Sequence, residues 1–161
     1  MIILGIDPAL TKTGWGVISF EKGVLKFIGS GAITTYVKDD LCTRLGKLST
    51  GLAKVLAEHD PDEVAIEETF VSKGAQSALK LGQARGALIL TVAQAKLPLA
   101  EYAANLVKKT VTGNGHAEKE QVQAMVKMLL PHANFESADA ADALAVAITH
   151  STHNKVLPPQ N

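Results

Sequence analysis

The stretch Ile2-Ile3-Leu4-Gly5-Ile6-Asp7-Pro8 decides how the rest of the chain is read. Its apolar run, β-branched at positions 2, 3 and 6, makes a buried strand, and Pro8 cannot continue a central strand because it has no N–H to give the ladder. Asp7 is thereby left as a carboxylate at the end of a buried strand. Working outward, Trp15 to Phe20 and Val24 to Thr35 read as two more strands joined at Glu21-Lys22-Gly23, a hairpin signal. Three strands therefore precede any helix.

From Asp40 onward Leu41, Leu45, Leu48, Leu52, Val55 and Leu56 recur at steps of three and four, the stripe of an amphipathic helix ending near His59-Asp60-Pro61. Cys42 falls in this segment as a small buried or half-buried filler with no chemical role. Val64-Ala65-Ile66 is a buried strand with Glu67 and Glu68 at its end. Residues 75–95 are apolar nearly all round and read as a buried helix with a very small face at Ala78, Gly82 and Gly86. Pro98 to Tyr102 reads as a fifth strand. Val122, Met125, Val126 and Leu129 mark another helix, and Ser137 caps a last one running to about His150. Three antiparallel strands followed by helices alternating with strands predict an α/β fold, a mixed five-stranded sheet flanked by helices in the ribonuclease-H-like arrangement.

The chain has 161 residues, 47% hydrophobic and 20% charged, enough to bury one core. We expect one domain over residues 1–154 and a short flexible tail at 155–161. No apolar run is long enough to span a membrane and no secretory leader is evident, so a soluble, cytoplasmic protein is expected. The formal net charge is zero, which alone argues against a nucleic-acid partner. The distribution differs: Lys73 to Lys127 carries a net +5 and the rest of the chain −5.

The informative residues are acids where acids are expensive: Asp7 and Glu67 or Glu68 at strand ends, Asp139 and Asp142 in an alanine-rich helical start. Singly each has an ordinary explanation, as a turn residue, an exposed strand end, or a complement to a helix dipole worth roughly 0.3–1 kcal/mol. Together they change the balance. Strands one and four are neighbours in the proposed sheet, and Asp139 and Asp142 share a helix face at i, i+3. Two carboxylates about 4 Å apart repel by roughly 4 kcal/mol at an effective dielectric near 20, a penalty that stability alone does not require. A divalent cation relieves it, and hard oxygen donors without a Cys or His cluster suit Mg²⁺ or Mn²⁺, the ions of paired phosphodiester-hydrolysing sites.

Several stretches, in order, resemble the bacterial RuvC family of Holliday-junction resolvases from about Leu4 to His150. They are Gly5-Ile6-Asp7-Pro8 with Thr13-Gly14-Trp15-Gly16, Ala65-Ile66-Glu67, the run from Ser77 to Gly86, Val107-Lys108-Lys109 through Lys119, and Asp139-Ala140-Ala141-Asp142-Ala143-Leu144. The resemblance implies that Asp7, Glu67, Asp139 and Asp142 hold metal, about two Mg²⁺ per site with Mn²⁺ substituting, and it selects Glu67 over Glu68. It implies that Lys108 and Lys119 stand near the scissile phosphate and that Phe70 stacks on unpaired bases at the crossover. Further DNA contacts are implied from Lys73, Lys80, Arg85 and Lys109. It also implies symmetrical nicking of four-way junction DNA to 5′-phosphate and 3′-hydroxyl ends, hence a homodimer, and partnership with branch-migration proteins of the RuvA and RuvB type. Ala9 departs from the glycine that many relatives have there.

The alternatives are a nuclease of the same fold acting on structured RNA and a noncatalytic module that grips branched DNA. A pure binder gains nothing from acids facing a phosphate backbone. An actin-like ATPase would need a duplicated lobe, for which the chain has no room.

Overall fold

The N-terminal hairpin forms where its turn residues can supply left-handed backbone. In the computed structural model, which describes residues 1–68 and 74–153, Lys22 and Gly23 take φ of 50° and 81°. Two such residues make the tight turn between β2 (Lys12–Glu21) and β3 (Val24–Thr34), whose ends pair Glu21 with Val24. β1 (Ile2–Asp7) pairs antiparallel with β2 and parallel with β4 (Glu63–Glu68), and β5 (Leu99–Ala103) adds parallel to β4. The sheet order is β3-β2-β1-β4-β5, the mixed five-stranded sheet expected.

Helices cover both faces. α1 (Leu41–His59) begins at Asp40, whose side chain accepts from the Thr43 N–H at 2.9 Å, and it buries Leu48, Leu52, Val55 and Leu56. With α2 (Gly74–Gln94) it closes one core over Leu4, Ile6, Val64 and Ile66. The other face carries α3 (Ala104–Thr112), α4 (Lys119–Leu129) and α5 (Ala138–His153), over a core with Ile3, Ile18 and Ala65. α5 is buried from Ala143 to His150 without interruption, because it lies between the sheet and α3 and α4. Ser137 Oγ accepts from the Ala140 N–H at 3.2 Å, the expected cap. Among the described residues no helix is long and apolar enough to cross a membrane.

Two expectations need correction, and two features go beyond the sequence reading. α2 is not a buried helix: only Ala84, Leu88, Thr91 and Val92 are buried, while Leu79 and Leu90 remain 62% and 57% exposed. A helix resting on α1 and the sheet uses one stripe, and its remaining apolar side faces outward. Cys42 is exposed because it lies off the leucine stripe of α1. α3 was not foreseen, since only Val107 and Val111 face the core and Ala103 gives no side-chain cap. Leu129 is 37% exposed, and Leu130, just past the end of α4, is buried in its place. The tail from residue 155 lies outside the described residues.

The loop between β1 and β2 is firmly tied. Thr13 Oγ1 donates to the Ala9 carbonyl at 2.6 Å, and Thr35 Oγ1 donates to the Leu10 carbonyl at 2.6 Å. The buried guanidinium of Arg44 on α1 reaches through to Thr35 Oγ1 and Thr11 Oγ1, both at 3.0 Å. The segment between Asp7 and Lys12 is thus held from the opposite layer.

Candidate active site

Side-chain parity in the two central strands selects the acids. Ile3 and Ala65 face α5 while Leu4, Ile6, Val64 and Ile66 face α1 and α2, so the period of two puts Asp7 and Glu67 on the α5 side. Because Ile6 pairs with Ile66, these two acids emerge side by side at the same end of parallel strands. Glu68, one residue on, is exposed and shares the parity of Ile66.

α5 comes to the same end because the sheet beneath it has no side chains in the way. A Cβ on Gly5 would collide with the Ala143 carbonyl oxygen, one on Gly14 with that of Asp139, and one on Gly16 would stand 2.6 Å from Leu144 Cγ. The backbone of α5 therefore rests almost directly on β1 and β2, and Asp142, one turn into the helix, is lowered to Asp7 and Glu67.

These three carboxylates line a pocket of about 230 Å³ together with Lys108 from α3 and Lys119 from the start of α4. Val107, Val122 and Ala145 form its apolar wall. A water molecule claims about 30 Å³, so the pocket has room for small ions and several waters.

The electrostatics are those of crowded acids. Burial, then the Glu67 and Asp142 carboxylates, push Asp7 up to about 8, against a smaller opposing pull from Lys119. Burial is also the first cause at Glu67, raised to about 7, with Asp142 adding and Lys108, Lys119 and a hydrogen bond from Asp7 opposing. Asp142 is raised as well, burial outweighing the Lys119 ammonium 3.4 Å away. Lys119 is raised in turn, chiefly by Asp142. Near neutral pH Asp7 therefore favours its protonated form, while Glu67 is balanced between its two forms.

Asp139 sits at the edge of this group, close enough for its charge to raise Asp7 and Asp142. It does not line the pocket, and its carboxylate lies 3.1 Å from the Lys12 ammonium at the start of β2. Both side chains are substantially exposed, so the pair is worth only about 0.2–1 kcal/mol. Among the described residues no three carboxylate or imidazole groups are drawn together as a closed cation cage would have them. The donors themselves fit a hard divalent ion: every candidate ligand is a carboxylate oxygen, and the crowding that raises Asp7 and Glu67 is what a cation would relieve.

The remaining predicted residues divide. Lys108 and Lys119 enter the pocket, whereas Lys109 is exposed on α3 and Lys80 is exposed on α2. Arg85 is engaged by Glu101 on β5. Phe70 and Lys73 lie outside the described residues. His150 and His153, near the end of α5, are both engaged within the fold. His150 is buried between the Tyr102 hydroxyl at 2.8 Å and Glu63 at 2.6 Å, and His153 meets Thr110 Oγ1 at 2.8 Å. Sequence reasoning missed Lys12, whose only signal was its place just after the Asp7 turn.

The chain matches the family model described as crossover junction endodeoxyribonuclease RuvC over residues 3–150. It is 60% identical over 151 residues to the RuvC of Methylorubrum populi, covering 94% of this chain and 80% of that protein. The Thermus thermophilus RuvC structure, 33% identical, superposes with a TM-score of 0.86 over 96% of this chain and 95% of the other. The same protein solved in complex with a Holliday junction substrate gives 0.87 at 32% identity, over 94% and 93% of the two chains. The strand-end acids, the helix lowered onto glycines and the likeness along nearly the whole chain lead to one assignment: the chain belongs to the RuvC family of crossover junction endodeoxyribonucleases.

Proposed function

We infer that this protein resolves four-way DNA junctions by hydrolysing phosphodiesters on two opposed strands, in recombination and repair. The observation that carries the reading is the convergence of Asp7, Glu67 and Asp142 with Lys108 and Lys119 in one pocket, in a chain of this family. A relative solved with a Holliday junction supports the substrate class.

Asp7, Glu67 and Asp142, joined by Asp139, would hold Mg²⁺, two ions per site, with Mn²⁺ as a substitute. When bound, such ions polarise a phosphoryl oxygen and favour an attacking hydroxide near neutral pH. The chain's own groups do the rest. Asp7 and, in part, Glu67 give up protons as the site loads. Lys108 and Lys119, fixed by α3 and α4, offset charge that develops on the phosphoryl oxygens during in-line attack. The apolar wall of Val107, Val122 and Ala145 limits the water that competes for these charges. The ends left are a 5′-phosphate and a 3′-hydroxyl.

Two nicks need two sites, so a homodimer is part of this reading. The uncovered side of α2, with Leu79 and Leu90 exposed and open space over Gly82 and Gly86, supports a contact there. Phe70, Lys73, Lys80 and Lys109 are DNA contacts in the same proposal, with Arg85 joining only by exchanging Glu101 for phosphate. Proteins of the RuvA and RuvB type are its proposed partners and the cytoplasm its compartment.

The test is cleavage of a synthetic four-way junction beside a linear duplex of the same sequences, with Mg²⁺ and with EDTA. Paired, metal-dependent nicks confined to the junction are expected; cutting of structured RNA in preference, or binding without cutting, overturns the reading.

A further inference from the structure

Three of the four acids face the pocket and the fourth faces a lysine. Lys12 is the first residue of β2, directly after the loop that Arg44, Thr35 and Thr13 tie down, so its backbone is fixed within a short reach of the α5 start. Its ammonium is 3.1 Å from Asp139, and Asp139 is absent from the pocket lining that Asp142 joins. Lys12 also lines a second, polar cleft between β3 and the start of α5, with Ser30, Asn134, Ser137 and, as its one carboxylate, Glu136.

Resting on the cation site proposed above, we propose that Lys12 is a counter-ion that competes with the divalent cation for Asp139 and, once displaced by it, serves as a phosphate contact for the DNA strand on the β2 side of the site. An ammonium and a metal ion cannot both be close partners of one carboxylate without repelling each other, so loading the site weakens the Lys12–Asp139 pair. The freed charge belongs to β2, whereas Lys108 and Lys119 come from α3 and α4. Metal binding and strand binding then assist each other through one side chain, and by linkage the assistance is reciprocal. Lys12 acts on the cation through Asp139, so it is a positioning residue for the site and a binding residue for DNA.

Calorimetric titration of Mg²⁺ into the 161-residue chain, without DNA, tests the first half. Lys12→Met is expected to bind Mg²⁺ about two- to fivefold more tightly than wild type, the range of an exposed ion pair, and Lys12→Arg to restore the wild-type value. In the Asp139→Asn background the Lys12→Met effect should vanish. Junction affinity in EDTA and in Ca²⁺ tests the second half: the gain on adding Ca²⁺ should be smaller for Lys12→Met than for wild type. Unchanged or weaker Mg²⁺ binding by Lys12→Met, an effect that persists in the Asp139→Asn background, or an equal Ca²⁺ gain overturns the inference. Wild-type protein that binds no Mg²⁺ overturns the cation site itself, a result distinct from any of these.

Discussion

Burial and the neighbouring Glu67 and Asp142 carboxylates push Asp7 up to about 8, which favours a proton on it at neutral pH. Folding raises Asp7 from 3.8 to about 8 and Glu67 from 4.5 to about 7, so both hold a proton more tightly in the native state than in the unfolded chain. The stabilisation this gives metal-free protein is complete below the unfolded values and is lost as pH rises through about 7 and 8. Metal-free Asp7→Asn should therefore melt about 3–10 °C above metal-free wild type at pH 8, with the gap closing toward pH 4, as scanning calorimetry would read. The same substitution should abolish cleavage and leave junction binding in place. Mg²⁺ binding near pH 7 should release protons, measurable as a dependence of the binding heat on buffer ionisation enthalpy, and the cleavage midpoint should move to lower pH as Mg²⁺ is raised. The four acids were legible as candidates because acids at buried strand ends and in an alanine run are costly. Glu67 could not be told from Glu68 by residue type alone. The choice rests on which face of β4 α5 covers, a tertiary fact, and Lys12 was hidden for the same reason.

Elements with strong periodicity were the readable ones. The leucine stripe of α1, the hairpin at Lys22-Gly23 and the Ser137 cap all stand where the residues put them. α2 was placed correctly and its burial misread, because an all-round apolar pattern does not say whether the covering layer lies in the same chain. α3 escaped because nine residues with two buried valines leave almost no periodic signal. Where an element sits matters more than where it begins: Gly14→Ala would drive a methyl into the α5 backbone at Asp139. We expect a loss of about 1–3 kcal/mol in denaturant unfolding, with cleavage falling further than stability because the helix that carries Asp139 and Asp142 must shift. Arg44→Ala would leave Thr35 and Thr11 without their buried donor, costing about 2–4 kcal/mol and slackening the turn between Asp7 and Lys12.

At the scale of the molecule, a formal charge of zero hides an uneven distribution, net +5 between Lys73 and Lys127 and −5 elsewhere. Junction affinity should fall steeply with salt and should be weaker in EDTA than with divalent cation, as fluorescence anisotropy over a salt series would show. Leu90→Glu on the open side of α2 should lower the dimer fraction in sedimentation and turn paired nicks into single ones, with the monomer fold intact. The buried contact of His150 with Glu63 and Tyr102 gives the molecule one more property. It bolts the last turns of α5 to β4 and β5, while Asp142 and Asp139 ride about 12 and 16 Å up the same axis. Because α5 is also seated along its length on Gly5, Gly14 and Gly16, this bolt fixes its position along the sheet, and with it the level at which Asp142 meets Asp7 and Glu67.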